Sequence, residues 1–138
     1  MFCLEPLILA GYLFMARPGR LNGSELNGAS VEVQSCERGL GASFKAVQSG
    51  VYSGAVQYGY QIPVGDFTLT ILPKFGLGYV DVIVYEQTSK ANFYLENQFL
   101  LGYDKYYVGT SFSHMSNGGL GDRNGALDMI SVSAGFKF

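Results

Sequence analysis

Tryptophan is absent from this sequence, and charged residues are scarce. They make up 14% of the 138 residues, whereas a soluble domain usually carries about 25%. The protein surface is therefore expected to be unusually apolar. The sequence also lacks an uncharged apolar run of about 18 residues, which argues against a helix that crosses a bilayer.

Residues that bind metals or nucleic acids are equally few. The chain has one histidine, His114, and its two cysteines, Cys3 and Cys36, match no metal-ligand or redox spacing. The net charge of −2 and the lack of a basic stripe argue against nucleic acid as a partner. We therefore expect no metal, no cofactor and no nucleic acid.

The sequence is rich instead in glycine (19), tyrosine (10) and phenylalanine (10), and much of it alternates between apolar and polar residues. Period two over such lengths predicts strands with one apolar face. Alternation is clearest over residues 51–62, 67–79, 93–103, the strand that ends at Ser116, and 128–138. Weaker segments at 4–14, 29–35 and 40–48 bring the total to eight.

Eight strands in a chain of one-domain length predict an all-β fold, an antiparallel up-and-down barrel of the outer-membrane type. Its apolar faces meet lipid, and its small and polar residues lie inside. Connections alternate between tight turns (63–66, 104–105) and longer loops (86–91, 117–127), as in such barrels. The tight turn at 49–50 departs from this pattern. A soluble β-sandwich is the alternative.

The start of the chain has two interpretations. Residues 1–20 form either an export signal or the first strand, and residues 21–138 form the barrel domain. The short apolar run at 7–16 suits an export signal, but Glu5 precedes it and no Lys or Arg does. If this segment is removed, seven strands remain. At the other end, Phe138 resembles the C-terminal aromatic signature of bacterial outer-membrane proteins.

The candidate chemistry lies around His114. In an extended chain, residues two apart share a face, so His114 and Ser116 can lie side by side. A loop follows, and Asp128 then begins the last strand. If the two strands form a hairpin, Asp128 returns close to the level of His114. A serine, a histidine and a carboxylate at one end of one hairpin are the minimum for a nucleophilic hydrolase.

All three candidate side chains continue the apolar faces of their strands, so they are predicted to point outward at the long-loop end. An active site on a lipid-facing wall suits a substrate embedded in the outer leaflet. A polar side chain that faces lipid has an unfavourable free energy, so three of them at one place indicate a functional role.

The stretch from His114 to Leu120 (HMSNGGL), followed by Asn124 and Asp128, resembles the C-terminal signature of the outer-membrane lipid A 3-O-deacylases. The resemblance implies His114 as base, Ser116 as nucleophile and Asp128 as the acidic member of a triad. It implies the Asn117 side chain and the Gly119 backbone N–H as oxyanion stabilisers. The family usually has Glu where Asp128 stands, and Ala where Gly118 stands.

The resemblance further implies a cofactor-free serine esterase that removes an ester-linked 3-hydroxyacyl chain from the lipid A of lipopolysaccharide, in the bacterial outer membrane. The main alternative is a non-catalytic outer-membrane or virion-associated structural barrel that retains the signature. A lipocalin-like carrier is a third, and it needs its apolar faces turned inward. The sequence leaves open the source, bacterial or virus-encoded, the acyl-chain preference and whether the chain forms a homodimer.

Overall fold

The segments of alternating apolar and polar residues form eight antiparallel strands, which close into a barrel. The structure is a computed structural model and describes residues 6–15, 27–35, 38–81, 91–116 and 127–137. Its strands are β1 (Leu7–Met15), β2 (Gly28–Gln34), β3 (Gly39–Val47), β4 (Val51–Val64), β5 (Phe67–Val80), β6 (Ala91–Tyr103), β7 (Tyr106–Ser116) and β8 (Leu127–Lys137). Each strand pairs with the next, and β8 pairs with β1 to close the barrel. The predicted fold class is confirmed.

The first strand, β1, pairs along its whole length with β8, from Leu7 opposite Lys137 to Met15 opposite Met129. It also pairs with β2. This segment therefore supplies the eighth strand of the barrel. The division of the chain into residues 1–20, as export signal or first strand, and residues 21–138, as barrel domain, stays a prediction. Residues 1–5 and 16–20 lie outside the described part of the chain, as do Cys36 and Phe138.

Strand connections divide the barrel into two ends. The tight turns at 65–66 and 104–105 lie at one end, which we call the short-turn end. Residues 16–27, 81–90 and 117–126 connect strands at the other end, the long-loop end. The turn between β3 and β4 also lies there, where Gly50 has a positive φ of 99° and donates its N–H to the Val47 carbonyl.

The outer wall of the barrel is apolar, as the alternation predicts. Large hydrophobic side chains are exposed on every strand, including Tyr12, Val33, Phe44, Tyr58, Phe75, Phe99, Phe112 and Phe136. A carrier of the lipocalin type needs these faces turned inward, and the structure has them outward. No helix long and apolar enough to cross a membrane is found among the described residues.

Side chains in the barrel interior form three layers. An apolar cluster at the long-loop end contains Leu13, Val47, Val51, Ala55, Val80, Tyr94, Met115 and Met129. A second apolar cluster at the short-turn end contains Leu7, Leu9, Leu72, Leu100 and Tyr107. Between them lies a polar layer that includes four buried charged side chains, Glu32, Lys45, Lys74 and Glu96. The prediction of small and polar residues inside the barrel is therefore correct for the middle layer and wrong for the two apolar layers.

Ion pairs hold the polar layer together. The Lys45 Nζ lies 2.6 Å from Glu96 Oε2, and the Lys74 Nζ lies 2.8 Å from Glu32 Oε2 and 3.6 Å from Glu96 Oε1. Gln98 donates to Glu32 Oε1 at 2.7 Å. Each buried charge therefore faces an opposite charge, which is what makes its burial tolerable.

Candidate active site

The hairpin of β7 and β8 brings His114 and Asp128 together. The two residues are directly paired across the strands. Their side chains meet on the outer wall, where His114 Nδ1 lies 2.7 Å from Asp128 Oδ1. This proximity was predicted for a hairpin of the two strands, and it follows from the register of a single antiparallel pair.

The hydrogen bond between these two side chains determines which imidazole nitrogen can act as a base. An ionised carboxylate can only accept, so Nδ1 must carry the proton that it donates to Asp128. The other ring nitrogen, Nε2, is then left with its lone pair. A neutral imidazole of this tautomer can take a proton from a hydroxyl group.

Ser116 is the last residue of β7 and shares the outward face of the strand with His114. Both residues are half-buried, whereas Ser113 and Met115, which alternate with them, point into the barrel and are buried. The side chains of His114 and Ser116 therefore point outward, as the alternation along the strand predicts. Asp128 also lies on the outward face and is half-buried.

Access to solvent or lipid differs between the members of the pair. The His114 side chain is 38% exposed and that of Asp128 is 16% exposed. The carboxylate is therefore more sheltered than the ring that it holds. Because Asp128 lies directly opposite His114, its short side chain makes the contact without the additional methylene of a glutamate.

Strand β6 borders the site with apolar side chains. Phe93 pairs with Ser116, and Leu95 pairs with His114. Neither Phe93 nor Leu95 was predicted to lie beside the site. The register of β6 against β7 places these two residues beside the site. Alternation within one strand does not predict which residues of a neighbouring strand lie opposite.

The predicted oxyanion residues, Asn117 and Gly119, lie outside the described residues, as do Gly118, Leu120 and Asn124. Their roles stay predictions. Among the residues that the structure does describe, no group of three or more His, Cys, Asp or Glu side chains converges to hold a metal ion.

Comparison with known proteins identifies the family to which the chain belongs. The model of the family described as Lipid A 3-O-deacylase (PagL) matches residues 20–137. The chain belongs to this family. A PagL-family member with an eight-stranded barrel and an apolar outer wall is consistent with an outer-membrane protein. Searches of curated proteins and of solved structures return no match.

Proposed function

We propose that this chain is a serine esterase of the bacterial outer membrane that removes the ester-linked 3-hydroxyacyl chain at position 3 of lipid A. Membership of the lipid A 3-O-deacylase family supports the substrate class. The observation that carries the proposal is the hydrogen bond between His114 and Asp128 on the outward face that also bears Ser116.

In the proposed reaction, the Ser116 hydroxyl attacks the ester carbonyl and gives its proton to His114 Nε2. The tetrahedral intermediate then collapses, and the imidazolium returns the proton to the sugar oxygen as the C–O bond breaks. Asp128 orients the ring and stabilises its charged form. Water next attacks the acyl-serine with His114 again as base, which releases the 3-hydroxy fatty acid and restores the serine.

Stabilisation of the oxyanion is assigned to Asn117 and Gly119 by the family resemblance. Each donor in such a site typically contributes about 3 kcal/mol to the stabilisation of the transition state. The proposed reaction uses only protein groups and water. The substrate enters sideways from the leaflet because the catalytic groups face outward.

Incubation of the purified, folded barrel with lipopolysaccharide tests the proposal. We expect the mass spectrum of lipid A to show the loss of one 3-hydroxyacyl chain and the free 3-hydroxy fatty acid to accumulate. Unchanged lipid A in the presence of folded protein would favour the alternative, a non-catalytic structural barrel that keeps the signature.

A further inference from the structure

Met115 lies between the candidate base and the candidate nucleophile on β7, and its side chain points the opposite way from theirs. His114 and Ser116 face outward, whereas Met115 is fully buried in the apolar cluster at the long-loop end. Neighbouring residues of a strand share one extended backbone, so a shift of Met115 moves both residues beside it. The packing of Met115 inside the barrel therefore affects the geometry of the site outside it.

Ser116 lies at the end of its strand, where the backbone is held least. Among the described residues, β7 pairs with β8 as far as Met115 and with β6 one residue further, where Ser116 lies opposite Phe93. Backbone near the end of an element opens more readily than backbone in its middle. Side-chain packing next to Ser116 therefore contributes a larger share of what holds the nucleophile in place.

The Met115 side chain reaches across the barrel interior to Gly78 of β5, two strands away. A Cβ added to Gly78 would lie 2.8 Å from Met115 Sδ, 3.2 Å from its Cγ and closer still to its Cε. Non-bonded heavy atoms are most favourably about 3.5–4.0 Å apart. Any side chain at position 78 would therefore displace the methionine, and the bare backbone of Gly78 forms a notch that Met115 fills.

Space, and not backbone conformation, is what calls for glycine at position 78. The glycines with positive φ in the described part of the chain are Gly39, Gly50 and Gly65, and Gly78 is not among them. Glycine inside a strand weakens the strand and often marks the close approach of another group. At Gly78 the group that approaches is the end of the Met115 side chain.

We propose that Met115, seated in the notch of Gly78, is a positioning residue that holds His114 and Ser116 at the separation needed for proton transfer. The proposal rests on the esterase function above and adds a residue that contacts neither the substrate nor the transferred proton. Met115 anchors the end of β7 from inside the barrel, and the catalytic side chains face outward from the same stretch of backbone. Misplacement of a reacting group by about 1 Å can lower a rate about 10²-fold.

A reciprocal exchange of side-chain volume tests the anchor. Gly78→Val fills the notch with as many heavy atoms as Met115→Ala removes. Each single change should lower the kcat of the folded protein about 10²-fold, because the end of β7 loses its seat. KM should stay within about twofold, because neither residue contacts the substrate. The double variant restores the total volume and should recover kcat to within about fivefold of wild type.

The matched control is Gly102→Val, which crowds a buried side chain at the other end of β7. A Cβ on Gly102 would lie 2.6 Å from Tyr107 Cε1. Tyr107 is the second residue of β7, whereas Met115 is the last but one. Gly102→Val should make the barrel easier to unfold and leave the kcat of the folded protein unchanged. A loss of kcat as large as that of Gly78→Val would overturn the proposal, because crowding anywhere in the interior would then slow the reaction.

Gly78→Ala covers the case in which valine prevents the barrel from folding. A single methyl group displaces Met115 less, so kcat should fall about fivefold. Wild-type kcat in every folded variant at position 78, or a double variant no faster than the single ones, would also overturn the proposal.

NMR tests the positioning without catalysis, because the chain has one histidine. In protein with ¹⁵N-labelled histidine, the Nδ1 and Nε2 resonances report the hydrogen bond between His114 and Asp128. Gly78→Val and Met115→Ala should each shift these resonances, and the double variant should return them toward wild type. Gly102→Val should leave them unchanged.

Unshifted resonances in both single variants would refute the positioning role even in an active enzyme. Conversely, resonances that shift and return as described, in a protein that releases no fatty acid from lipid A, would keep the positioning role and refute the esterase. The two proposals therefore fail separately.

Discussion

Inside the barrel, four charged side chains are buried and each meets an opposite charge: Lys45, Lys74, Glu32 and Glu96. On the outer wall, the side chains of His114 and Asp128 are 38% and 16% exposed and lie among apolar side chains. The interior cluster has balanced charge and multiple contacts, so its removal should affect folding. The outer pair is joined by the hydrogen bond between His114 Nδ1 and Asp128 Oδ1, which leaves the lone pair of His114 Nε2 for chemistry. Its removal should affect chemistry and leave the barrel intact.

His114→Ala should separate a loss of activity from a loss of stability most clearly. Loss of the only candidate base should lower kcat at least about 10⁴-fold, since members of such triads act as a unit. The free energy of unfolding should change by less than about 1 kcal/mol, because the ring is 38% exposed and its hydrogen bond to Asp128 lies on the outer surface. Hydrolysis kinetics and urea unfolding in detergent measure the two quantities. A stable but fully active variant would remove His114 from the mechanism.

Asp128→Asn tests the orienting role with almost no change in shape. An amide in this position can present its N–H₂ group to Nδ1 and so stabilise the wrong tautomer of His114. We expect kcat to fall about 10³- to 10⁴-fold. The measurement is steady-state hydrolysis of lipid A, with folding monitored by the heat-dependent shift in gel migration. Activity within a few-fold of wild type would mean that the 2.7 Å contact has no catalytic part.

Glu96→Leu is the corresponding change inside the barrel. It leaves Lys45 and Lys74 buried without one of their partners, so the free energy of unfolding should fall by about 3–5 kcal/mol. The fraction that remains folded should hydrolyse lipid A at the wild-type rate. The double variant Lys45→Met with Glu96→Leu should recover part of the loss, because one lysine no longer needs a partner. Unchanged stability in the single variant would contradict the structural role.

Asp128→Glu should have the smallest effect. It restores the acidic residue that is usual in the family and adds one methylene to a partly sheltered side chain. Because Asp128 already reaches His114 directly, the longer side chain must adjust its rotamer, and we expect kcat to change by less than about tenfold. Hydrolysis assays of the two proteins side by side measure the ratio. A loss as large as that of Asp128→Asn would mean that the site is fitted to the shorter acid.

Much of the fold could be predicted because strand alternation is a local signal. The strand predicted over residues 51–62 is Val51–Val64 in the structure, because its pairing with β5 continues through Pro63 and Val64 to the turn. Residues 40–48 became Gly39–Val47. Parity also predicted the outward faces of His114, Ser116 and Asp128 correctly, since that depends only on counting along each strand.

Contacts between distant strands could not be predicted in the same way. Leu95 lies opposite His114, and Lys45 meets Glu96, 51 residues away, only because the whole barrel closes in one register. The apolar layers at the two ends were missed because Leu72 and Leu100 at the short-turn end, and Met115 at the long-loop end, lie on faces where polar or small residues were expected. Asn117 and Gly119 stand as family-derived predictions.

Replacing two serines that lie three residues apart on β7, as Ser116→Ala and Ser113→Ala, shows directly whether the outward serine is the nucleophile. Ser113 points into the barrel and is 2% exposed, whereas Ser116 faces outward with His114. Both proteins, folded in the same detergent, are given lipid A, and the release of 3-hydroxy fatty acid is followed. We expect no release by Ser116→Ala and nearly wild-type release by Ser113→Ala. Undiminished release by Ser116→Ala would contradict it.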